Sequence, residues 1–196
     1  DGPFEKCDQL KKVTFETGIT QIAQFLFAGC TGLEKIDIPD TVDTIGKYAL
    51  SECSNLRLAT IPAKITEINE GIFQDDSVLD RIVLPDKIKS IKYTAFKGCK
   101  SLKEIVIPNN VTIMENSVFE NCTALTKVTV GNQVSSIGQS AFSGCTALPQ
   151  ITLPASVQTI GDKAFSHCEA LADVKLSEGL TSIGSYAFEY NIALPK

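Results

Sequence analysis

Residues 94–108 read Thr94-Ala95-Phe96-Lys97-Gly98-Cys99-Lys100-Ser101-Leu102-Lys103-Glu104-Ile105-Val106-Ile107-Pro108, and this pattern recurs every 23 residues along the 196-residue chain. Steps of 23 residues from its cysteine pass through Cys7, Cys30, Cys53, Asp76, Cys99, Cys122, Cys145, Cys168 and Asn191. All seven cysteines therefore share one column, without insertion or deletion. A strict period of this length is typical of a solenoid, in which each unit stacks on the next.

The period predicts one elongated domain over residues 1–196, with eight full repeats and a partial repeat at each end. The chain begins Asp1-Gly2-Pro3 and ends within a repeat, so we expect a piece of a longer protein. A single repeat is too small to bury its own apolar side chains, and its neighbours must cover them. We therefore expect continuous parallel pairing of strands.

Fixed aliphatic positions predict the course of each repeat. The third position after the cysteine column is leucine in all nine copies, and the sixth and eighth are mostly isoleucine, valine or leucine. This alternation predicts a strand with one buried face, which a following proline ends because it cannot donate to the ladder. A short extended segment and then an Ala-Phe step follow, and their spacing predicts one tight helical turn.

Two further columns carry structural expectations. Glycine recurs before the Ala-Phe step, and we expect it to need a positive φ or a close backbone approach there. These glycines are Gly46, Gly138, Gly161 and Gly184. The phenylalanine column predicts a spine of stacked rings through Phe4, Phe27, Phe73, Phe96, Phe119, Phe142, Phe165 and Phe188.

The cysteine column predicts buried free thiols. Cysteines one repeat apart lie about 5 Å from each other with parallel side chains, which suits the distance of a disulfide but not its torsion. A straight row also cannot surround a tetrahedral zinc ion. Asp76 and Asn191 replace cysteine, and we expect them to satisfy backbone groups in the turn.

Composition argues against several classes of function. The net charge of −5 is spread over interspersed acidic and basic residues, so nucleic acid is not an expected partner. No stretch approaches the roughly 20 apolar residues of a membrane span. His167 is the only histidine, and it occupies a turn position that is glycine in other repeats. We expect a surface role for it, no enzymatic activity and no cofactor.

An acidic cluster at Glu52, Asp75, Asp76 and Asp80 offers oxygen ligands, but its spacing matches no calcium-loop pattern, and we predict no metal site. A hydrolase hidden in this acidic turn is the weakest alternative. Repeat three is irregular, because Ala59 replaces the larger residue of the sixth position beside Leu58. Either the strand bulges and turns Leu58 inward, which is our expectation, or the core is underpacked there.

The variable strand positions are the candidate binding surface. One column is mostly basic in the first two thirds of the chain, and a small apolar stripe lies beside it. Together these residues are Lys12, Lys35, Leu58, Arg81, Val83, Glu104, Val106 and Lys127. Such a row could meet an acidic partner, and the alternative is an ordinary solvated face.

The repeat Cys-x-x-Leu-x-x-Ile-x-Ile-Pro-x-x-Val-x-x-Ile-Gly-x-x-Ala-Phe resembles the BspA-like, or Treponema-type, leucine-rich repeat family along the whole chain. The resemblance implies an α/β fold: a right-handed, curved solenoid with a parallel sheet on its concave face and short strands and helical turns on the other side. It also implies a secreted or cell-surface adhesin-like protein that engages extracellular matrix, host or microbial surface proteins.

Two functions follow from this resemblance and from the open ends of the repeat array. The first is a non-enzymatic protein-binding module that acts through its outward strand face. The second is a structural spacer that displays other domains or self-associates edge to edge. Sequons at Asn110 and Asn121 matter only if the producing organism is a secreting eukaryote.

Overall fold

The computed structural model describes residues 2–195 as a stack of coils, each built from short extended segments and turns. The segments form two ladders. The first ladder contains three-residue strands around the sixth position: β2 (Lys35–Asp37), β4 (Leu58–Thr60), β7 (Glu104–Val106), β9 (Lys127–Thr129), β11 (Gln150–Thr152) and β13 (Asp173–Lys175). The second ladder contains two-residue strands: β1 (Gln21–Ile22), β3 (Thr44–Ile45), β5 (Glu67–Ile68), β6 (Ser90–Ile91), β8 (Ile113–Met114), β10 (Ser136–Ile137), β12 (Thr159–Ile160) and β14 (Ser182–Ile183).

Strand pairing is parallel, and partners lie one repeat apart, as in Ile105 with Val128. The predicted parallel pairing is therefore confirmed. The longest sheet, however, belongs to the second ladder, where β5, β6, β8, β10, β12 and β14 form six adjacent strands. The first ladder consists of the pairs β2–β4, β7–β9 and β11–β13, with a single bridge between Leu58 and Arg81. Proline two residues after four of the six first-ladder strands removes a backbone donor and keeps that ladder short.

The phenylalanine column forms the spine of the core. From Phe73 to Phe188 each ring stacks on the next with centroids 5.2–5.5 Å apart and interplanar angles of 5–15°. Phe4 and Phe27 form a separate stack at 5.7 Å. Leu50 stands between the two stacks, so the predicted spine is confirmed in two parts.

The helical turn predicted at the Ala-Phe step is wrong. Residues 2–195 contain no helix, and the fold is a parallel β-solenoid rather than an α/β solenoid. The physical reason lies in the backbone on either side of Ala95-Phe96, where Thr94 has φ 53° and Gly98 has φ 74°. Residues in the left-handed region cannot continue a right-handed helix. Both positions recur at positive φ along the chain, for example at Ser117, Ser140 and Lys163 and at Asp75, Asn121 and His167.

Alternate backbone donors of this turn point in different directions. Lys97 N–H donates to the Thr94 carbonyl within the turn at 3.0 Å. Phe96 N–H instead donates to the Val118 carbonyl of the next coil at 2.9 Å. Gly98 N–H reaches the next coil in the same way. Half of the turn's N–H groups therefore form hydrogen bonds between coils. In a helix these groups would donate to carbonyls of the same segment.

The expectation for the glycine column is half correct. A Cβ on Gly138 would lie 2.5 Å from the Glu115 carbonyl carbon, and one on Gly184 would lie 2.4 Å from the Asp162 nitrogen. The close backbone approach is therefore confirmed. Positive φ, the other expected alternative, does not apply to this column, because the left-handed glycines lie elsewhere, for example at Gly98 and Gly144.

Repeat three keeps a regular strand. β4 pairs with β2 without a bulge, with Ile36 opposite Ala59, and Leu58 remains 40% exposed. The expected inward turn of Leu58 is therefore wrong, because the pairing register holds its side chain on the outer face. An open depression of about 350 Å³ lies beside Ala59, lined in part by the exposed Leu58 and Val83 and by Ile82. The alternative, an underpacked core at Ala59, stays a prediction.

A larger side chain at the buried position of Ala59 is expected to stabilise the protein. Ala59→Ile restores the aliphatic side chain of the sixth column and should add about 1 kcal/mol to the free energy of unfolding, or about 2–4 °C to Tm. Thermal unfolding monitored by circular dichroism measures the change. Ala172→Ile is the control, since Ala172 is exposed and gains no buried contact. An Ala59→Ile variant with a lower Tm would contradict the underpacked description.

Candidate protein-binding surface

The register of the first ladder brings the predicted surface residues together. Lys35 lies opposite Leu58, which bridges to Arg81, and Glu104 lies opposite Lys127. Lys12 precedes the first strand and has no ladder partner among the described residues. All eight predicted residues are exposed: Lys12, Lys35, Leu58, Arg81, Val83, Glu104, Val106 and Lys127. We call the exposed residues at the fourth, fifth and seventh positions after the cysteine column, in every coil from the first to the eighth, the strand face.

The strand face differs in charge from the rest of the molecule. Its exposed charged residues are Lys11, Lys12, Lys35, Arg57, Arg81, Lys103, Lys127 and Lys175 on the basic side and Glu34, Asp37, Asp80, Glu104 and Asp173 on the acidic side. Eight basic and five acidic residues give this face a net charge of +3, whereas the whole chain carries −5. The remainder of the chain therefore carries −8. This separation of charge favours approach of an acidic surface from the strand side.

Of the cations Lys35, Arg81 and Lys127 in the mostly basic column, one forms a local ion pair and two do not within the described residues. Lys35 Nζ lies 2.9 Å from Asp37 Oδ2 on the same strand, and both groups are exposed. Among residues 2–195, Arg81 and Lys127 form no ion pair within 4.0 Å. Arg81 and Lys127 are thus the two central cations that are open to a partner.

Two depressions adjoin each other on the strand face. A cleft of about 410 Å³ is lined by Asp80, Arg81, Lys103, Glu104, Thr126 and Lys127. The apolar depression beside Ala59 adjoins this cleft, because Arg81 lines both. Val83, which also lines the depression, is 69% exposed. Val106 is 62% exposed in the following repeat. The face therefore combines an apolar stripe with charged walls, which is the composition of many protein interfaces.

A larger cavity, of about 690 Å³, lies at the first coil rather than on the strand face. Apolar side chains of Phe4, Leu10, Val13 and Phe15 line much of it. Its lining belongs to the end of the described stack.

Charged side chains away from the strand face neutralise one another between coils. Lys47 Nζ lies 2.9 Å from Glu70 Oε2, and Lys97 Nζ lies 3.1 Å from Glu120 Oε2. The Tyr48 hydroxyl also donates to Glu70 Oε1 at 2.9 Å. Hydrogen bonds from Lys47 and then Tyr48 lower the pKa of Glu70 below its usual value.

Lys92 joins two coils at once, with Nζ 3.3 Å from Glu67 Oε2 and 3.2 Å from Glu115 Oε1. Its hydrogen bond to Glu115 raises the pKa of the ammonium group. Sequence reasoning missed these pairs. The available signal was a lysine and a glutamate one repeat apart, as in Lys92 and Glu115.

The cysteine column is buried and hydrogen-bonded. Six of the seven free thiols are buried, as predicted, and Cys7 is partly exposed. Each buried Sγ donates to the carbonyl of a phenylalanine in the preceding coil at 3.0–3.3 Å. Burial raises the pKa of Cys99, Cys122 and Cys145 well above its usual value and that of Cys168 to about 12. These thiols are therefore poor nucleophiles.

The other candidate chemical groups do not converge. Asp76 is fully buried, and its Oδ1 accepts a hydrogen bond from Cys53 N at 2.8 Å, whereas Asp75 is exposed. Within residues 2–195 no group of three histidine, cysteine, aspartate or glutamate side chains is arranged to hold a metal ion. His167 is exposed and stacks on Tyr190 with ring centroids 4.6 Å apart, so its predicted surface position is confirmed.

The part of the chain that the structure describes has no helix with the length and apolar character to cross a bilayer.

Comparison with known proteins identifies the family. The sequence profile of the BspA type leucine rich repeat region matches residues 1–102 and 72–195 in six copies. Its description names a repeat fold, and no enzymatic family is indicated. None of the curated proteins matches the chain.

Solved structures of bacterial leucine-rich repeat proteins are similar. One from Bacteroides ovatus has 34% identity and a TM-score of 0.84, over 89% of this chain and 46% of that protein. One from Treponema pallidum has 29% identity and a TM-score of 0.66, over 91% of this chain and 72% of that protein. One from Eubacterium ventriosum, at 23% identity, has a TM-score of 0.63 over 93% of this chain and 64% of that one, and shows likeness of fold alone. The chain thus spans less than half the length of the Bacteroides protein. It belongs to the BspA-type leucine-rich repeat family.

Proposed function

We propose that this solenoid is a non-enzymatic protein-binding module whose strand face engages an acidic surface of a partner protein. The observation that carries the proposal is the separation of charge, with +3 on the strand face and −8 on the remainder. Leucine-rich repeat proteins of this family are interaction or surface scaffolds. The central cations Arg81 and Lys127 supply charge complementarity, and the apolar stripe supplies area to bury.

The dimensions of the face suit a protein rather than a small molecule. Eight coils at about 4.8 Å each extend over roughly 40 Å, which accommodates an interface of about 800 Å² per partner. The clefts on the face are open and shallow along the stack. Binding energy then comes from many modest contacts, with the stripe at Leu58, Val83 and Val106 at their centre.

The family resemblance supports a location outside the cell. BspA-like proteins are typically secreted or attached to the cell surface and adhere to host or microbial proteins. The proposed partners are therefore extracellular matrix proteins or surface proteins of a host or another microbe. An acidic patch on the partner is the feature that the strand face would recognise.

Reversing three charges of the strand face tests the proposal. Lys35→Glu, Arg81→Glu and Lys127→Glu are combined, and binding to a panel of immobilised matrix proteins is measured at low and physiological salt. We expect the unmodified protein to bind at least one member, and the triple variant to bind it at least about tenfold more weakly, with a shallower salt dependence. Tm should change little, because all three side chains are exposed.

The matched control reverses three exposed lysines outside the strand face, Lys87, Lys89 and Lys163, which form no ion pair among the described residues. It has the same change in net charge. The proposed surface would be contradicted if the unmodified protein and the strand-face variant bound the matrix protein equally well, or if both variants lost the same affinity.

A structural spacer that self-associates is the second candidate. Apolar side chains are exposed at the last coil, where Leu176 is 45%, Ile183 48% and Ile192 79% accessible. Phe4 is 47% exposed at the first coil. Light scattering over a concentration series separates the candidates: a monomer at all concentrations that binds a matrix protein favours the binding module, and a mass that grows with concentration favours the spacer.

A further inference from the structure

Asp76 places a carboxyl group in the column that cysteine thiols occupy in most other repeats. We call each position of the cysteine column a rung. In an ordinary rung, that of Cys99, the thiol donates to Phe73 O at 3.2 Å and the backbone N–H donates to Phe96 O at 3.2 Å. Asp76 occupies the same column one repeat earlier and is fully buried. Its Oδ1 accepts a hydrogen bond from Cys53 N–H at 2.8 Å, and its Oδ2 is buried without a hydrogen-bond partner within residues 2–195.

Asn191 shows that an uncharged side chain fits this rung. Its Oδ1 accepts the N–H of Cys168 at 2.8 Å, as Asp76 Oδ1 does for Cys53. Its Nδ2 is likewise buried without a partner. The second polar atom of the side chain is therefore buried without a partner at both positions, and in Asn191 that atom belongs to a neutral amide.

Among residues 2–195 no positive charge compensates Asp76. The ionisable groups that act on it are Asp75 and Glu52, both acidic, and its neighbours in the column are the thiols of Cys53 and Cys99. A buried carboxylate normally requires a cation or several donors. Asp76 has one donor, the backbone N–H of Cys53.

We propose that Asp76 is a neutral carboxylic acid in the folded protein, and that it makes the joint between the coils of Cys53 and Asp76 weaken as the pH rises. The joint lies beside two irregular positions of the stack, since Leu50 interrupts the ring spine and Ala59 replaces the larger residue of the sixth column. Stability in a solenoid is a nearest-neighbour property, so a loss at one joint loosens the contact between the coils on its two sides.

The direction of the pH dependence follows from linkage. Desolvation raises the pKa of Asp76 well above its usual value, and the nearby charges of Asp75 and Glu52 add to this. In the unfolded chain the carboxyl group ionises near pH 4. Below that pH both states hold the proton, and the stability is fully present. As the pH rises the unfolded state gives up its proton first, so stability falls until the folded carboxyl group ionises too.

Asp76→Asn removes the titration and keeps the shape of the side chain. We expect Tm of this variant minus Tm of the unmodified protein to increase by roughly 3–5 °C per pH unit above about pH 4, and to level off once Asp76 ionises in the folded state. Thermal unfolding between pH 4 and 8 measures the difference. Asp40→Asn is the matched control, because Asp40 is exposed and is not among the groups that act on Asp76, and this variant should keep the slope of the unmodified protein.

Two direct measurements complete the test. Carboxyl carbon NMR shifts of the unmodified protein should show Asp76 unchanged between pH 3 and 6, the range in which an ordinary aspartate titrates. Hydrogen exchange at Cys53 N–H, corrected for its intrinsic pH dependence, should lose protection as pH rises in the unmodified protein and not in Asp76→Asn. Titration of Asp76 near pH 4 in the folded protein, or parallel Tm curves for Asp76→Asn and the unmodified protein, would overturn the proposal. If Asp76→Asn does not fold, Asp76→Cys restores the usual rung, and the NMR titration decides.

Discussion

Replacing Phe119 by alanine is expected to lower the free energy of unfolding by about 3–5 kcal/mol. The ring is fully buried and stacks between Phe96, at 5.4 Å, and Phe142, at 5.3 Å. Its removal leaves a cavity that the coils cannot close without shifting their hydrogen bonds, and it breaks two stacking contacts at once. Urea unfolding followed by circular dichroism measures the loss. Because coils interact with their neighbours, we also expect the transition to broaden or divide.

Phe4→Ala is the control for the spine. Phe4 is half exposed and stacks on Phe27 at 5.7 Å, at the end of a short stack. Its loss should reduce stability by about 1 kcal/mol. A loss at Phe119 no larger than at Phe4 would show that the stacked rings do not carry the core.

Ser140 is expected to respond with opposite signs to glycine and proline. Its φ is 54° and its N–H donates to Asp162 O at 2.9 Å. Ser140→Gly should stabilise the protein by up to about 1 kcal/mol, because glycine adopts this conformation without strain. Ser140→Pro should destabilise it by about 3 kcal/mol or more, because proline fixes φ near −65° and removes the hydrogen bond. Tm and urea unfolding of both variants measure the two effects.

The sign of the glycine effect distinguishes the observed turn from the helical turn that the sequence favoured. Within a helix, Ser140→Gly would destabilise the protein by several tenths of a kcal/mol. Destabilisation by glycine would therefore contradict the left-handed backbone at this position. Gln139→Gly, in the residue before, is the control and should show no gain, since Gln139 is absent from the positions with positive φ.

The period allowed much of the core to be predicted. The leucine, phenylalanine and cysteine columns were correct because nine copies average out the ambiguity of any one short segment. The buried face of each strand follows from the alternation of the sixth and eighth positions. The inward turn predicted for Leu58 is wrong because the pairing register with the neighbouring strand, rather than the identity of Ala59, determines which face of the sheet each side chain occupies.

The turn geometry could not be predicted because its signal is not local. The residues with positive φ include Phe25, Tyr48 and Lys163, none of which prefers that conformation alone. Donors that pair with the next coil hold the backbone there, so the conformation depends on stacking rather than on propensity. For the candidate surface, the variable columns correctly predicted exposure. Ion pairs such as Lys35 with Asp37 depend on side-chain placement that the pattern does not encode.

The donors that alternate within each turn also determine how the molecule bears a load. Bonds such as Phe96 N–H to Val118 O join successive coils, and so they lie along the direction of stacking. A force that separates the two ends therefore opens the coils one after another. Each opened coil releases 23 residues, or roughly 80 Å of extended chain. The solenoid would act as an extensible tether that lengthens in steps and absorbs work before the chain itself is taut.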